Sequence, residues 1–108
     1  MVKPKVFYRK KEMTDYILPV PYSKITSAER KKVREQYARE QGGLCYWCLE
    51  PLEGNPHENI QESALNLKLF PPGFLRYPMH LQHNHDTDMT EGAVHAKCNG
   101  VMWQYHGR

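Results

Sequence analysis

At 108 residues the chain has room for one small domain built on a single hydrophobic core. Forty per cent apolar and 25% charged residues suit a globular chain and exclude disorder throughout. No apolar run reaches the roughly 20 residues that span a bilayer, and Met1–Lys5 lacks the apolar stretch of a secretory signal, so an intracellular (cytoplasmic) protein with no membrane partner is expected. The net charge of +3 is unevenly spread. Residues 1–39 hold eleven of the fifteen Lys/Arg against four acidic residues, whereas 40–108 hold four against eight. A basic first third suits a polyanion-binding arm, or else a solvated basic helix with no partner.

In chain order, residues 1–25 read as a basic, extended arm interrupted by Pro4, Pro19 and Pro21, with a short strand near Lys5–Tyr8. Thr26-Ser-Ala-Glu29 has the capping-box spacing, in which residues 26 and 29 satisfy each other's backbone donors. It predicts a helix over 27–41, stopped by Gly42-Gly43. Ala28, Val33, Tyr37 and Ala38 give that helix an apolar stripe; Arg30, Lys31, Lys32 and Arg34, on other faces, are candidates for phosphate contact. Cys45-Tyr-Trp-Cys48 follows as a tight loop, and residues 57–69 can form a short helix before Pro71-Pro72-Gly73 breaks the chain. Leu75, Tyr77, Met79 and Leu81 then alternate as in a half-buried strand, 83–90 is a polar loop, Gly92–Val94 a return strand and 96–105 a helix. Val101, Met102 and Tyr105 should face the core, and Trp47, Trp103 and Tyr105 are expected to pack around it rather than to stack on bases. The class predicted is α+β, a small domain of order strand, loop, strand, helix.

Three cysteines cannot all pair, and an intracellular chain keeps them reduced. Two form Cys45-x-x-Cys48; the third closes His95-x-x-Cys98. Zinc favours four tetrahedral thiolate and imidazole ligands, and Cys₃His is a common closed structural set, so Cys45, Cys48, His95 and Cys98 are expected to hold structural Zn²⁺. A thioredoxin-like redox pair lacks the βαβ surroundings it needs here.

Between the two halves of that set lies His83-Asn-His-Asp-Thr87, and Asn99 follows Cys98 at once. The run His83 to Thr87, then Gly92-Ala-Val-His95-Ala-Lys-Cys98-Asn99, resembles the HNH (ββα-metal) nucleases, and within them the phage recombination endonuclease VII branch. The resemblance covers roughly residues 40–105, with an insertion-like stretch at 49–78. It implies a metal-dependent DNA endonuclease, with DNA as partner and Mg²⁺ or Mn²⁺ as catalytic ion. His83 falls on the general base, His85 on the second histidine that assists at the phosphate or the metal, and Asn99 on the helix-borne metal ligand. His95 stands where many relatives have cysteine.

These residue types suit the chemistry on their own terms. Phosphodiester hydrolysis needs a proton acceptor for water, which a neutral imidazole supplies, and a cation to meet the charge growing on phosphate. Gln82 stands where the resembled branch has a charged ligand; its amide oxygen can ligate without formal charge, which favours Mn²⁺ over Mg²⁺. Asp86, Asp88 and His80 are the groups nearby that can compensate. By themselves His80, His57 and His106 read as solvated surface. A second departure is Asp88, where the branch usually has glycine. The rival reading, for which Gln82 is the support, is a zinc-binding nucleic-acid module without catalysis, or an accessory subunit of a larger nuclease or packaging complex. The motif sets no oligomeric state; a homodimer is compatible with it.

Overall fold

Thr26 and Glu29 form the reciprocal cap that their spacing predicts: Thr26 Oγ1 accepts from the Glu29 amide at 3.1 Å and Glu29 Oε1 accepts from the Thr26 amide at 2.8 Å. The computed structural model describes residues 15–107, so the strand anticipated near Lys5–Tyr8 lies outside the described residues. Helix α1 runs Ser27–Glu40 and ends at Gly42 and Gly43, whose φ of 68° and 80° are cheap only for glycine. Two short turns of helix follow, α2 (Glu58–Gln61) and a 3₁₀ turn at Leu67–Leu69, in place of one helix over 57–69. Strands β1 (Met79–His83) and β2 (Thr90–His95) pair antiparallel, and α3 (Ala96–His106) leaves β2 without a break. The class is α+β: one two-stranded sheet with helices around it. No helix among the described residues is long and apolar enough to cross a membrane.

The strand starts later than the alternation from Leu75 suggests. Residues 71–76 use their backbone on one another, with Phe74 N–H bonding the Pro71 carbonyl and Arg76 N–H that of Gly73. Pro78 then has no N–H for a ladder. Leu75 and Tyr77 accordingly stay exposed, and the ladder pairs Met79 with His95, His80 with Val94, Leu81 with Ala93 and Gln82 with Gly92. The register slips between Gln82 and His83, which pairs with Thr90, leaving Glu91 as the extra residue of a bulge.

The core is small. Leu52, Ile60, Ala93, Val94, Val101 and Met102 pack with Cys45 and Cys98, which are fully buried. On α3, Val101 and Met102 face this core as expected, but Trp103 and Tyr105 do not: they are 40% and 52% exposed. Trp103 instead meets Phe70 edge-on, and the Tyr105 hydroxyl bonds the Ala64 carbonyl, so both pin the 63–70 segment to the outside of the helix. Trp47 does pack against the core, with His106 over its ring at 5.4 Å.

Gly92 is where another side chain does not fit. A Cβ there would lie 2.8 Å from Gln41 Oε1 and from Tyr46 Cγ. Gln41 is itself held, accepting from the Ala93 amide at 2.8 Å and donating to the Ala93 carbonyl at 2.9 Å. Gly92→Ala is therefore expected to destabilise the fold by about 1–3 kcal/mol, the range for overpacking a filled site, measured as a lower denaturant midpoint with unchanged slope.

Candidate metal centre and adjoining cleft

Cys45 and Cys48 sit in the turn after α1, tied by the Cys45 N–H to Glu50 carbonyl bond and by Leu49 N–H to the Cys45 carbonyl. Leu49 takes φ of 68° to close this knuckle. His95 ends β2 and Cys98 lies in the first turn of α3, so the four side chains converge from two distant stretches. Their ligand atoms all lie within 4.8 Å of one another. His95 Nδ1 is 3.5 Å from Cys48 Sγ and 3.6 Å from Cys98 Sγ. A tetrahedral zinc with its usual bonds to sulfur and nitrogen separates those atoms by about 3.6 Å.

The surroundings suit a metal as well as the spacing does. His95 Nε2 is 2.8 Å from the Pro51 carbonyl, so that nitrogen donates and Nδ1 keeps its lone pair for the cysteines. Backbone amides of Trp47 and Cys48 point at Cys45 Sγ at 3.4 and 3.5 Å, and that of His57 at Cys48 Sγ at 3.4 Å, as thiolate sulfur requires. A hydrogen bond from the Cys98 thiol, helped by these amides, lowers Cys45 to about 4; the same contact and burial push Cys98 far up. One thiolate is thus readily held here, and a second needs a cation beside it. Cys45, Cys48, His95 and Cys98 form a group that can hold a metal such as zinc.

Beside this centre, on the side of α1 and β1, opens a cleft of about 1020 Å³. His83, His85 and Asn99 line it, as do Arg30, Lys31 and Arg34, so the structure brings these six sequence candidates together. Lys32 does not line it, and neither does Gln82. Gln82 is 1% exposed, and its amide donates to the His83 carbonyl at 2.9 Å and to Glu91 Oε1 at 3.3 Å. Gln82, expected to ligate a metal beside His83, is thus buried outside the cleft lining, with its amide nitrogen serving the bulge. No carboxylate is among the cleft-lining residues, and three of them are Lys or Arg, so the cavity favours anions.

His83 stands at the mouth of the 84–88 loop. Asn84 shapes that loop by accepting from the Asp86 and Thr87 amides at 2.8 and 3.0 Å. Asp88 closes it with φ of 68°, the conformation glycine favours, which accounts for its being the second departure from the resembled pattern. Its carboxylate accepts from the Ser23 hydroxyl at 2.6 Å and from the Ser23 amide, and these bonds hold it below the usual aspartate range. The loop is thereby tied to residues 20–23, which also pair through Tyr22 N–H to the Asp88 carbonyl at 2.7 Å and Thr90 N–H to the Val20 carbonyl at 2.9 Å.

That tie carries a residue the sequence reading missed. The Tyr22 ring stacks on His83, centroids 3.9 Å apart and planes 10° off parallel. Arg30 covers the ring's other face at 4.0 Å, and its guanidinium donates to the Tyr22 carbonyl at 2.9 and 3.1 Å. His85 approaches His83 at 4.6 Å. Burial, with the nearby His85 second, lowers the pKa of His83 below the ordinary histidine value, so the ring is neutral at pH 7. His80 is half-buried rather than solvated surface: it lines the cleft from β1 and meets Asn99 on α3, Nδ1 to Nδ2 at 3.0 Å. Burial lowers His80 as well. Only a contact map could have singled out Tyr22, since a tyrosine in a Pro-rich arm has no motif of its own.

Comparisons with family models, with curated proteins and with solved structures found no match to the chain.

Proposed function

We propose that the protein is a metal-dependent DNA endonuclease of the HNH (ββα-metal) kind, in which His83 deprotonates the attacking water. The observation that carries this reading is a neutral, stacked His83 facing an anion-attracting cleft that also contains Asn99 and His85. A hairpin running straight into a helix, with a zinc-type corner at the junction, is the arrangement the ββα-metal resemblance anticipates.

Each residue then has a defined task. Arg30, Lys31 and Arg34 attract the phosphate backbone in a salt-sensitive, sequence-independent way. His83 accepts the proton of water, and its ring plane is fixed by Tyr22 and Arg30. His85, exposed and adjacent, donates to a phosphate oxygen. Asn99 would hold a divalent ion, which when bound would supply Lewis-acid stabilisation of the charge developing on phosphate. The Cys₃His centre fixes the start of α3, and so the position of Asn99, one residue past Cys98.

Supercoiled plasmid incubated with the zinc-loaded protein and Mn²⁺, Mg²⁺ or EDTA tests the reading. Nicking or linearisation that requires both a divalent ion and His83 is expected. Retarded plasmid that stays uncut under every metal would instead support a zinc-binding nucleic-acid module, the reading favoured by the absence of carboxylates from the cleft. Tyr22 offers a finer check. Tyr22→Ala frees the His83 ring and is expected to slow cutting by about ten- to a hundredfold, while Tyr22→Phe keeps the stack and most of the rate. Equal rates for the two variants would dissociate the stack from catalysis.

A further inference from the structure

We infer that His80 and Asn99, and not Gln82, are the chain's ligands for the divalent ion in the cleft, and that this site takes Mn²⁺ in preference to Mg²⁺. The purpose of that ion rests on the nuclease reading; its position does not.

His80 projects from β1 and Asn99 from the first turn of α3, and both line the cleft with His83. Nδ1 of His80 faces the Asn99 amide at 3.0 Å. The Asn99 amide nitrogen donates to Nδ1, so Nδ1 carries the ring's lone pair and Nε2 its proton. Phe74 braces the ring edge-on at 4.8 Å. His95 likewise presents Nδ1, there to the cysteines, with Nε2 on the Pro51 carbonyl.

Asn99 completes the pair by a half-turn of its amide. In the ion's absence its nitrogen donates to His80; turned over, its oxygen lies at the same place and both residues present lone pairs to one point. The other groups near His83 are committed elsewhere. Gln82 is spent on the bulge and Asp88 on Ser23, and Asp86 does not line the cleft. Gly100 keeps this corner tight, since a Cβ there would lie 2.8 Å from Leu65 and 3.3 Å from Phe74.

The choice of ion follows from the donors. Mg²⁺ prefers an all-oxygen octahedron and gives up its waters reluctantly, whereas imidazole nitrogen suits transition ions. With no carboxylate at hand and Arg30, Lys31 and Arg34 close by, the protein alone binds the ion weakly, and phosphate oxygens of the substrate complete its shell.

The test titrates Mn²⁺ into the zinc-loaded, uniformly ¹⁵N-labelled full chain and reads paramagnetic broadening, which reports weak sites. The His80 ring and the Asn99 side-chain amide are expected to broaden first, well before His57 and His106, and a large excess of Mg²⁺ should not reverse it. His80→Ala should weaken Mn²⁺ binding about tenfold or more at unchanged zinc content. Asn99→Asp, which adds a charge to the same point, should tighten it several-fold and decides the matter if His80→Ala does not fold. Broadening that spares His80 and Asn99, or Mn²⁺ affinity unchanged by both substitutions, overturns the inference. Activity separates it from the reading it rests on. If His80 binds Mn²⁺ but plasmid stays intact, the nuclease reading fails and the metal site stands. If His80→Ala cuts plasmid with Mn²⁺ as fast as the unaltered chain, the site fails and the nuclease reading stands.

Discussion

Zinc-loaded protein carrying Cys98→Ser is expected to release its metal and, with it, its fold. Structural zinc contributes on the order of 10–16 kcal/mol of apparent binding free energy, as much as the entire stability of many domains. This chain has little to set against that loss. Its buried apolar cluster is small and includes two of the four candidate ligands, which reach the centre from both the knuckle after α1 and the β2–α3 corner. Serine also leaves a hydroxyl at a position with no exposure. Zinc content by mass spectrometry and a thermal melt by circular dichroism are the measurements. A Cys98→Ser protein that kept one equivalent of zinc and an unchanged melt would remove the assignment. The same logic sets the direction with pH. The ligands bind metal as thiolates, so the stabilisation is complete near neutrality and is lost as protons compete toward acid. EDTA at neutral pH should reproduce the effect.

On the proposed nuclease reading, His83→Ala is expected to lower the turnover of plasmid cleavage by about 10²–10⁴-fold, the range for loss of a general base, while DNA affinity changes little because Arg30, Lys31 and Arg34 remain. The pH profile adds a sign. The base acts in its neutral form, so activity is full above the pKa of His83 and falls as pH drops through it. Burial lowers that pKa, which puts the acid limb of kcat/KM below the ordinary histidine value of about 6.5. Tyr22→Ala uncovers the ring and should move the limb back up toward that value. A profile whose acid limb lies above 7, or one that survives in His83→Ala, would assign the proton transfer to another group.

How much of this was legible in the residues depends on the range of the interaction that fixes each part. The start of α1 was readable because Thr26 and Glu29 act across three residues of one chain segment. The metal set was readable because cysteine and histidine at a spacing of three have few other uses, and their chemistry demands convergence wherever the chain goes. The start of β1 was misread at Leu75, because alternation cannot register that the 71–76 turns have already consumed the backbone. Tyr105 was misread for a similar reason: its spacing matches the core stripe, but its hydroxyl finds the Ala64 carbonyl outside. Gln82 was placed by analogy of position, and the bulge that redirects its amide depends on the partner strand. Tyr22, His80 and the cover of Arg30 over the tyrosine ring are contacts across 8 to 61 residues, for which the residue types leave no local sign.

Two glutamines of α1 and its cap behave alike. Gln36, 2% exposed, accepts from the Tyr16 amide at 2.8 Å and donates to the Tyr16 carbonyl at 2.9 Å, and Gln41 does the same to Ala93. Each side-chain amide imitates one residue of a neighbouring strand. At Ala93, with the Tyr46 amide on the same carbonyl, and at Thr90, bonded to Val20, the outer margin of β2 is therefore sealed. A two-stranded sheet ordinarily invites a third strand from another molecule. At these two positions the backbone of β2 is already engaged within the chain, so a foreign strand cannot pair there without displacing Gln41, Tyr46 or Val20.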